Sequence, residues 1–308
     1  TGTPIENRLS ELWSIFDYLM PGFLYGYDTF RREFEIPVVK NNDQEAMERL
    51  QRMVGPFILR RLKQDVLRDL PEKTEEVRYV QMTGKQRKLY DGQAIHLRSL
   101  LDHQSEEEFN NSRFQVLTEL TRLRQICCDP ALCFEDYGDE TAKTDACMEL
   151  VQSAVDGGHR LLVFSQFTSM LDILSSRLDG EHVEHFMITG ATPKEKRLQL
   201  VNAFNGGAVP VFLISLKAGG VGLNLTGADM VVHYDPWWNV SAQNQATDRA
   251  HRIGQKNSVQ VYKLIAKDTI EEKILRLQES KKELADAVIR QGGSLFSLSP
   301  EQLAELLA

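Results

Sequence analysis

The sequence has 308 residues, of which 42% are hydrophobic and 26% are charged, as expected for a globular protein with one large domain or two. Its net charge of −8 argues against nonspecific binding of nucleic acid by the whole surface, although a local strip of phosphate contacts needs only a few well-placed donors. No apolar run is long enough to cross a bilayer, and the N-terminus lacks the pattern of a signal peptide, so we expect no membrane partner.

The first half of the chain is predicted to be mainly helical. Apolar residues at helical spacing indicate an amphipathic helix over residues 9–19. A second helix, broken at Gly55-Pro56, is predicted over residues 43–68. The alternating pattern of residues 75–82 indicates a strand. The polar stretch of residues 84–127 has no proline and is predicted to be helical throughout.

The second half alternates between short apolar runs and amphipathic helices. This alternation predicts an α/β fold with a parallel sheet and helices on both faces, in which ligands collect at the carboxyl ends of the strands. The predicted strands are residues 160–165, 183–189, 211–215, 229–235 and 259–266, and the predicted helices are residues 168–178, 192–204, 241–253 and 268–290.

The cysteine spacing indicates neither a zinc site nor a disulfide framework. We expect buried or neutral thiols in a reducing cytosol, and no metal site in this chain. The four cysteines are Cys127, Cys128, Cys133 and Cys147.

A glycine-rich segment, SLKAGGVGLNLTGAD, begins at the end of the predicted strand 211–215. Gly219, Gly220 and Gly222 allow close approach of a ligand, and their N–H groups can cradle a phosphate. A tight turn would use the same glycines. The position of the segment after a buried parallel strand favours a binding loop.

The segment QATDRAHRIGQ, residues 245–255, continues the predicted helix 241–253. On that helix Gln245, Arg249 and Arg252 share one face, with no obvious acidic partner beside them. Two arginines on a helix face are also typical of a solvated surface. A planar, permanently charged guanidinium is, however, well suited to stabilise the charge of phosphoryl transfer.

The rest of a nucleotide site is missing from the sequence. The 308 residues contain no G-x-x-x-x-G-K-[ST] motif, and the pair Asp139-Glu140 follows no apolar strand, so it is a poor candidate for Mg²⁺. The sequence therefore contains arginines suited to a nucleotide but not the usual phosphate cradle.

Several long motifs, in one consistent order, resemble the C-terminal half of the motor of Swi/Snf-family DNA-dependent ATPases in helicase superfamily 2. TGTPIENRLSELWSIFDYLMPG is similar to the third motif and its continuation, PFILRRLKQDVLRDLPEK to the helical protrusion, and LTRLRQICCDP to the lead into the second lobe. LVFSQFTSMLDIL, ISLKAGGVGLNLTGADMVVHYDPWWN and QATDRAHRIGQ are similar to motifs four, five and six. Lys217, where many members have a small hydroxyl residue, and Val240, where proline is common, depart from the pattern.

The family's motor has two RecA-like lobes, and the first lobe carries the phosphate-binding loop and the acidic Mg²⁺ motif. The resemblance implies that a chain beginning at Thr1 is a fragment. Residues 1–70 would be the tail of lobe one with a helical protrusion, and residues 71–141 a lead-in strand with a helical insertion. Residues 142–292 would be the RecA-like lobe two, and residues 293–308 a C-terminal tail helix.

The resemblance also implies roles for individual residues. Arg249 and Arg252 would be arginine fingers that reach ATP, with Gln245 positioning the site and Gly222 contacting the nucleotide. ATP and Mg²⁺ would be held mainly by lobe one. Residues implied to contact the DNA backbone are Ser165, Gln166, Ser215, Lys217, Gly219, Gly220 and Asn224. Residues implied to couple DNA contact to hydrolysis are Thr1, Gly2, Thr3, Trp237 and Trp238, although core packing would explain the tryptophans equally well.

The implied function is ATP-dependent translocation on double-stranded DNA, with the DNA backbone and lobe one of the same protein as partners. Residues 1–308 alone are expected to hydrolyse no ATP. The alternatives are a non-catalytic interaction module of a degenerate motor and a strand-separating helicase. A cytoplasmic location at a bacterial nucleoid is favoured over a nuclear one, and the complex that would be remodelled is not indicated.

Overall fold

The computed structural model describes residues 9–41, 43–58, 70–82, 84–101, 106–139, 141–219 and 222–287. The chain divides into two compact units, the first made of residues 1–69 and 277–294 and the second of residues 70–276 and 295–308. None of the helices in the described ranges is long and apolar enough to cross a membrane.

The first unit is helical, as the sequence predicts. Its apolar core includes Leu12, Phe30 and Phe34, and Asp43 caps the last helix because its carboxylate accepts hydrogen bonds from two backbone N–H groups. The predicted break at Gly55-Pro56 is confirmed, since the helix ends at Val54 and a 3₁₀ turn follows it, and residues 59–69 lie outside the described ranges. The elements are α1 (Leu9–Leu19), α2 (Tyr27–Phe30), a π-helical turn (Arg31–Glu35), α3 (Ile36–Asn41), α4 (Gln44–Val54) and a 3₁₀ turn (Gly55–Phe57).

Residues 84–127 are helical, as predicted, but they do not form one continuous helix. The structure contains two helices, α5 (Gly84–Leu101) and α6 (Glu106–Cys128). They are antiparallel, since Gln86 at the start of α5 donates to the carbonyl of Ile126 near the end of α6. Apolar residues of both helices, including Leu97 and Leu120, are buried, which stabilises this arrangement.

The second unit contains a six-stranded parallel sheet in the order β1-β6-β5-β2-β4-β3. All the predicted strands are present, some with shorter ends. Their bounds are β1 (Lys73–Val80), β2 (Leu161–Ser165), β3 (His185–Ile188), β4 (Val211–Ser215), β5 (Met230–His233) and β6 (Val259–Ala266).

Two hydrophobic clusters cover the two faces of this sheet. Alternate residues of β2 enter different clusters, Leu161 and Val163 entering one and Leu162 and Phe164 the other, because successive side chains of a strand point to opposite faces. This arrangement confirms the predicted α/β fold with helices on both faces. The remaining helices are α7 (Ala142–Asp156), α8 (Thr168–Gly180), α9 (Lys194–Asn205), α10 (Leu216–Gly219), α11 (Val240–Thr247) and α12 (Ile270–Ala287), and a 3₁₀ turn spans Pro130–Leu132.

The cysteines are free thiols, and burial raises the pKa of each of them above its ordinary value, which keeps them protonated. The predicted burial is confirmed for Cys127, Cys128 and Cys147, and Cys133 is half-buried. Within the described ranges, no group of histidine, cysteine, aspartate and glutamate is arranged to hold a metal ion.

Candidate functional site

Strands β2, β4 and β5 end at the same edge of the sheet because they run parallel to one another. We call this the carboxyl edge; it is formed by Ser165, Ser215 and His233 together with the residues that follow each strand. Most of the predicted DNA-contact residues lie at this edge.

The two serines of the carboxyl edge are buried and make their hydrogen bonds inside the chain. Ser165 Oγ donates to Asp235 Oδ1 at 2.6 Å, and Ser215 Oγ accepts from the N–H of Ala218 at 3.3 Å. They therefore orient the loops that follow them. Of the other residues predicted to contact DNA, Lys217 and Asn224 are exposed, Gln166 is half-buried, Gly219 ends α10, and Gly220 lies outside the described residues.

Arg124 connects these loops, a role that the sequence pattern does not reveal. It lies near the end of α6 and is only 3% exposed. Its Nη1 donates to Gln166 Oε1 at 2.9 Å, and its Nη2 donates to the carbonyl of Pro236 at 2.7 Å. One guanidinium thus joins α6 to the loops after β2 and β5. The available signal was an arginine placed among the apolar residues of a buried helix face.

The surroundings of the Arg124 guanidinium are aromatic and acidic. It lies 5.6 or 5.7 Å from the ring centroids of Phe167, Trp237 and Trp238, and 3.7 Å from Asp235 Oδ2. Burial lowers the pKa of Arg124 and raises that of Asp235, while the attraction between the two charges opposes both shifts. The buried pair is held by hydrogen bonds on each partner, which such pairs need in order to be stable.

The two tryptophans take part in packing as well as in connections between loops. Trp237 packs against the core cluster that includes residues of β2 and β4, and its backbone N–H donates to Gln243 Oε1 on α11 at 3.4 Å. The other residues predicted to couple DNA contact to hydrolysis lie outside the described ranges: Thr1, Gly2 and Thr3.

The glycine loop, which we define as residues 216–229, crosses from one edge of the sheet to the other. It leaves β4 at the carboxyl edge and returns to the beginning of β5, at the amino edge. Gly222 is exposed and has a φ of 39°, a conformation that residues with a Cβ rarely adopt. Leu225 is fully buried and anchors the returning half of the loop.

The predicted helix over residues 241–253 is wrong at its C-terminal end. Helix α11 ends at Thr247, so Arg249 and Arg252 do not share a helix face with Gln245, which lies on α11 and is half-buried. Beyond the end of the helix, the Arg249 carbonyl accepts from the N–H of Leu225 at 2.9 Å instead of from a following helical turn. We call residues 248–255 the arginine turn; this backbone bond joins it directly to the glycine loop.

The charges of the arginine turn are only partly balanced. Burial lowers the pKa of Arg249, the nearby charge of Arg252 lowers it further, and Asp248 opposes the shift. Arg252 is half-buried, and no ion pair or hydrogen bond links its side chain to another described residue. Two close guanidiniums of this kind favour an anion between or beside them.

Gln255 holds the arginine turn against the glycine loop and is a second residue that the sequence pattern does not reveal. Its Nε2 donates to the carbonyl of Ala228 at 2.6 Å and to that of Ala250 at 3.1 Å. Its Oε1 accepts from two backbone N–H groups that follow. Because Gln255 is buried, these bonds are protected from water and keep the turn in place.

The sheet and its two covering layers of helices define a RecA-like fold. Two family models match the chain, the SNF2-related domain over residues 1–132 and the helicase conserved C-terminal domain over residues 142–254. The chain belongs to the SNF2 family of helicase superfamily 2.

The chain is similar to proteins of bacteria and archaea. It is 39% identical over 316 residues to the putative ATP-dependent helicase/translocase YwqA of Bacillus subtilis, with 99% of this chain and 34% of that protein covered. It is 35% identical to the solved SWI2/SNF2 ATPase core of Sulfolobus solfataricus in complex with dsDNA, with a TM-score of 0.65 and coverage of 99% and 65%. The solved C-terminal domain of the S. solfataricus SWI2/SNF2 ATPase is 29% identical, with a TM-score of 0.63 and coverage of 76% and 98%.

The chain spans about a third of the length of the curated relatives that it matches. It corresponds to part of an SNF2-family ATPase core.

Proposed function

We propose that this chain is the C-terminal part of an ATP-dependent motor that moves along double-stranded DNA. The observation that carries the proposal is the backbone bond between Leu225 and Arg249, which joins the glycine loop to the arginine turn. The residues predicted to contact DNA and those predicted to contact ATP thus belong to one connected piece of backbone. The similarity to a core crystallised with dsDNA supports the choice of duplex DNA.

The arginine turn fits the phosphates of ATP. Arg249 and Arg252 are close enough for the charge of one to lower the pKa of the other, and an anionic phosphate would relieve this repulsion. Bound ATP supplies the reactive phosphoryl group, and the two guanidiniums would stabilise the negative charge that develops on it. Gln245 and Gly222 complete the proposed nucleotide contacts. Because the 308 residues contain no phosphate loop motif, we place the main ATP and Mg²⁺ contacts in lobe one of the same protein.

The carboxyl edge fits the backbone of DNA. Lys217 is exposed there, and the neighbouring donors are neutral groups of Gln166 and the glycine loop. Neutral donors and a single cation suit phosphate contacts that do not depend on base sequence. Because the protein carries a net charge of −8, we expect its binding to be weak and salt-sensitive.

Hydrolysis by the two forms of the protein tests this proposal. ATP turnover is measured for residues 1–308 alone and for the full-length protein that contains them, each with and without duplex DNA. We expect background turnover for residues 1–308 and DNA-stimulated turnover for the full-length protein. Absence of turnover in the full-length protein would favour a non-catalytic interaction module. Release of a labelled strand from a blunt duplex would favour a strand-separating helicase.

The variant Gly220→Glu tests the DNA loop in the same full-length protein. Charge and bulk in the loop should abolish stimulation by DNA while the protein remains folded. Normal stimulation of the variant would contradict the assignment of this loop to DNA. We also place the protein in a bacterial cytoplasm, at the nucleoid, and imaging of a tagged protein would test this location.

A further inference from the structure

Asn205, the last residue of α9, holds the glycine loop by two hydrogen bonds. Its Nδ2 donates to the carbonyl of Asn224 at 2.8 Å, and its Oδ1 accepts from the N–H of Gly227 at 2.9 Å. A side-chain amide with one donor and one acceptor thus pairs with two backbone groups, as a neighbouring strand would. This pairing fixes both the position and the tilt of the four residues from Asn224 to Gly227.

The segment held by Asn205 is the same one that contacts the arginine turn. Leu225, which lies inside the clamped segment, donates its N–H to the Arg249 carbonyl. A shift of this segment would therefore move Arg249 on one side and the exposed Asn224 on the other.

The sequence at Gly227 is adapted to this clamp. A Cβ on Gly227 would lie 2.8 Å from Asn205 Oδ1 and 2.9 Å from Asn205 Cα, closer than real Cβ atoms approach. Only glycine therefore lets its N–H reach the Asn205 side chain. The clamp itself is fixed to the sheet by Arg160, which precedes β2 and whose Nη1 donates to the carbonyls of Phe204 at 2.7 Å and Asn205 at 3.2 Å.

We propose that Asn205 is a positioning residue that couples DNA contact at the glycine loop to the placement of Arg249 for hydrolysis. The proposal rests on the function proposed above and names a further residue for it. Asn205 acts through the backbone of residues 224–227, and the reacting phosphate is contacted by the arginines. Loss of the clamp should misplace the arginine turn by a small distance, and such misplacement costs about 100-fold in rate when it reaches 1 Å.

The test compares three variants of the full-length protein. Asn205→Ala removes both hydrogen bonds, Asn205→Asp keeps the acceptor for Gly227 but loses the donor to Asn224, and Asn202→Ala changes an exposed asparagine one turn earlier on the same helix. Turnover at saturating ATP is measured against DNA concentration, together with the KM for ATP and the thermal midpoint of unfolding.

We expect Asn205→Ala to lower DNA-stimulated turnover at saturating DNA by about 10- to 100-fold. Its KM for ATP and its turnover without DNA should stay within a few-fold of the parent. Asn205→Asp should fall between Asn205→Ala and the parent, and Asn202→Ala should match the parent. These changes should persist well below the unfolding midpoint of each variant.

A purely structural role for Asn205 predicts a different pattern. The unfolding midpoint would fall, and turnover with and without DNA would fall together or not at all; either result would overturn the proposal. If Arg252→Ala abolishes turnover while Asn205→Ala leaves stimulation by DNA intact, the proposed function stands and this inference fails. If Arg252→Ala has no effect, the proposed function itself fails.

Discussion

Arg124 and Arg252 show two opposite placements of a guanidinium in one unit of the chain. Arg124 is buried, and its donors are used by Gln166 and the backbone of Pro236. Arg252 is half-buried in a turn beside Arg249, and its side chain makes no ion pair with another described residue. An arginine that donates its hydrogen bonds to groups of the same chain stabilises the fold. An arginine that lies beside a like charge is suited to binding an anion from another molecule.

The largest expected effect concerns Arg252 and Arg249, the arginines proposed to contact a phosphate. In the full-length protein, Arg252→Ala should reduce DNA-stimulated turnover by about 10³–10⁵, and Arg249→Ala should reduce it by a similar factor, because the guanidiniums would stabilise charge in the transition state. ATP binding should weaken far less. The matched control is Arg276→Ala, which removes an exposed arginine paired with Glu272 on α12.

Steady-state kinetics and nucleotide titration check this prediction. Turnover of both arginine variants within a few-fold of the parent, with folding confirmed by circular dichroism, would contradict it. The solvated-surface interpretation of these arginines would then be preferred.

The second effect concerns Arg124, the buried arginine of the comparison. Arg124→Met in residues 1–308 should lower the free energy of unfolding by about 3–5 kcal/mol, because it leaves the buried Asp235 without its cationic partner. Arg122→Met changes an exposed arginine on the same helix and should have little effect. Urea denaturation measures both. Equal stability of the two variants would show that the contacts of the Arg124 guanidinium do not stabilise the fold.

A smaller effect concerns His233, whose Nε2 lies 2.8 Å from Thr247 Oγ1 at the end of α11. Burial lowers the pKa of His233 from 6.5 to about 3. As the pH falls below 6.5 the unfolded chain binds a proton that the folded chain does not, so this histidine contributes stability above pH 6.5 that is lost as the pH falls towards 3.

His233→Phe should therefore flatten the acid limb of the stability profile. The ring can still stack on Phe164, which the histidine ring contacts at a centroid distance of 5.7 Å. Between neutral pH and about pH 5.5, the free energy of unfolding should fall by about 1.4 kcal/mol less in the variant than in the parent. Unfolding measured from neutral to acid pH checks this, and parallel profiles for variant and parent would refute it.

The smallest effect concerns the residues predicted to contact DNA. Lys217 is exposed and is the charged residue among those predicted to contact DNA. Lys217→Ala in the full-length protein should weaken DNA binding by a similar factor for all sequences and reduce the slope of log affinity against log salt by about 0.9. Fluorescence anisotropy at several salt concentrations measures the slope. An unchanged slope would show that Lys217 does not neutralise a phosphate.

Local patterns in the sequence were sufficient to predict most of the fold. The continuous apolar runs of β2 and β4 indicated buried parallel strands because such strands are covered on both faces. The strand 259–266 was predicted with its observed bounds. These features depend on side-chain periodicity along a few neighbouring residues, which is visible in the sequence.

Two features that the sequence did not predict depend on contacts between distant parts of the chain. The stretch of residues 84–127, predicted to be helical, forms two antiparallel helices, α5 and α6, joined by the hydrogen bond from Gln86 to the Ile126 carbonyl. The predicted helix over residues 241–253 ends at Thr247, and the Arg249 carbonyl beyond it accepts from the N–H of Leu225. In both cases the contact joins residues distant along the chain, which local helix propensity does not predict.

The sequence alone identified Arg249, Arg252 and the glycine loop as candidate phosphate contacts. Residue types suited to such contacts occur there within a short stretch of the chain. Tertiary contacts alone show what holds them. Arg124 and Asn205 act across separations of 42 and 19 residues, through hydrogen bonds to Gln166 and to the Asn224 carbonyl. No periodicity or local propensity encodes a hydrogen bond over such distances, because its partners meet only after the sheet and its helices have packed.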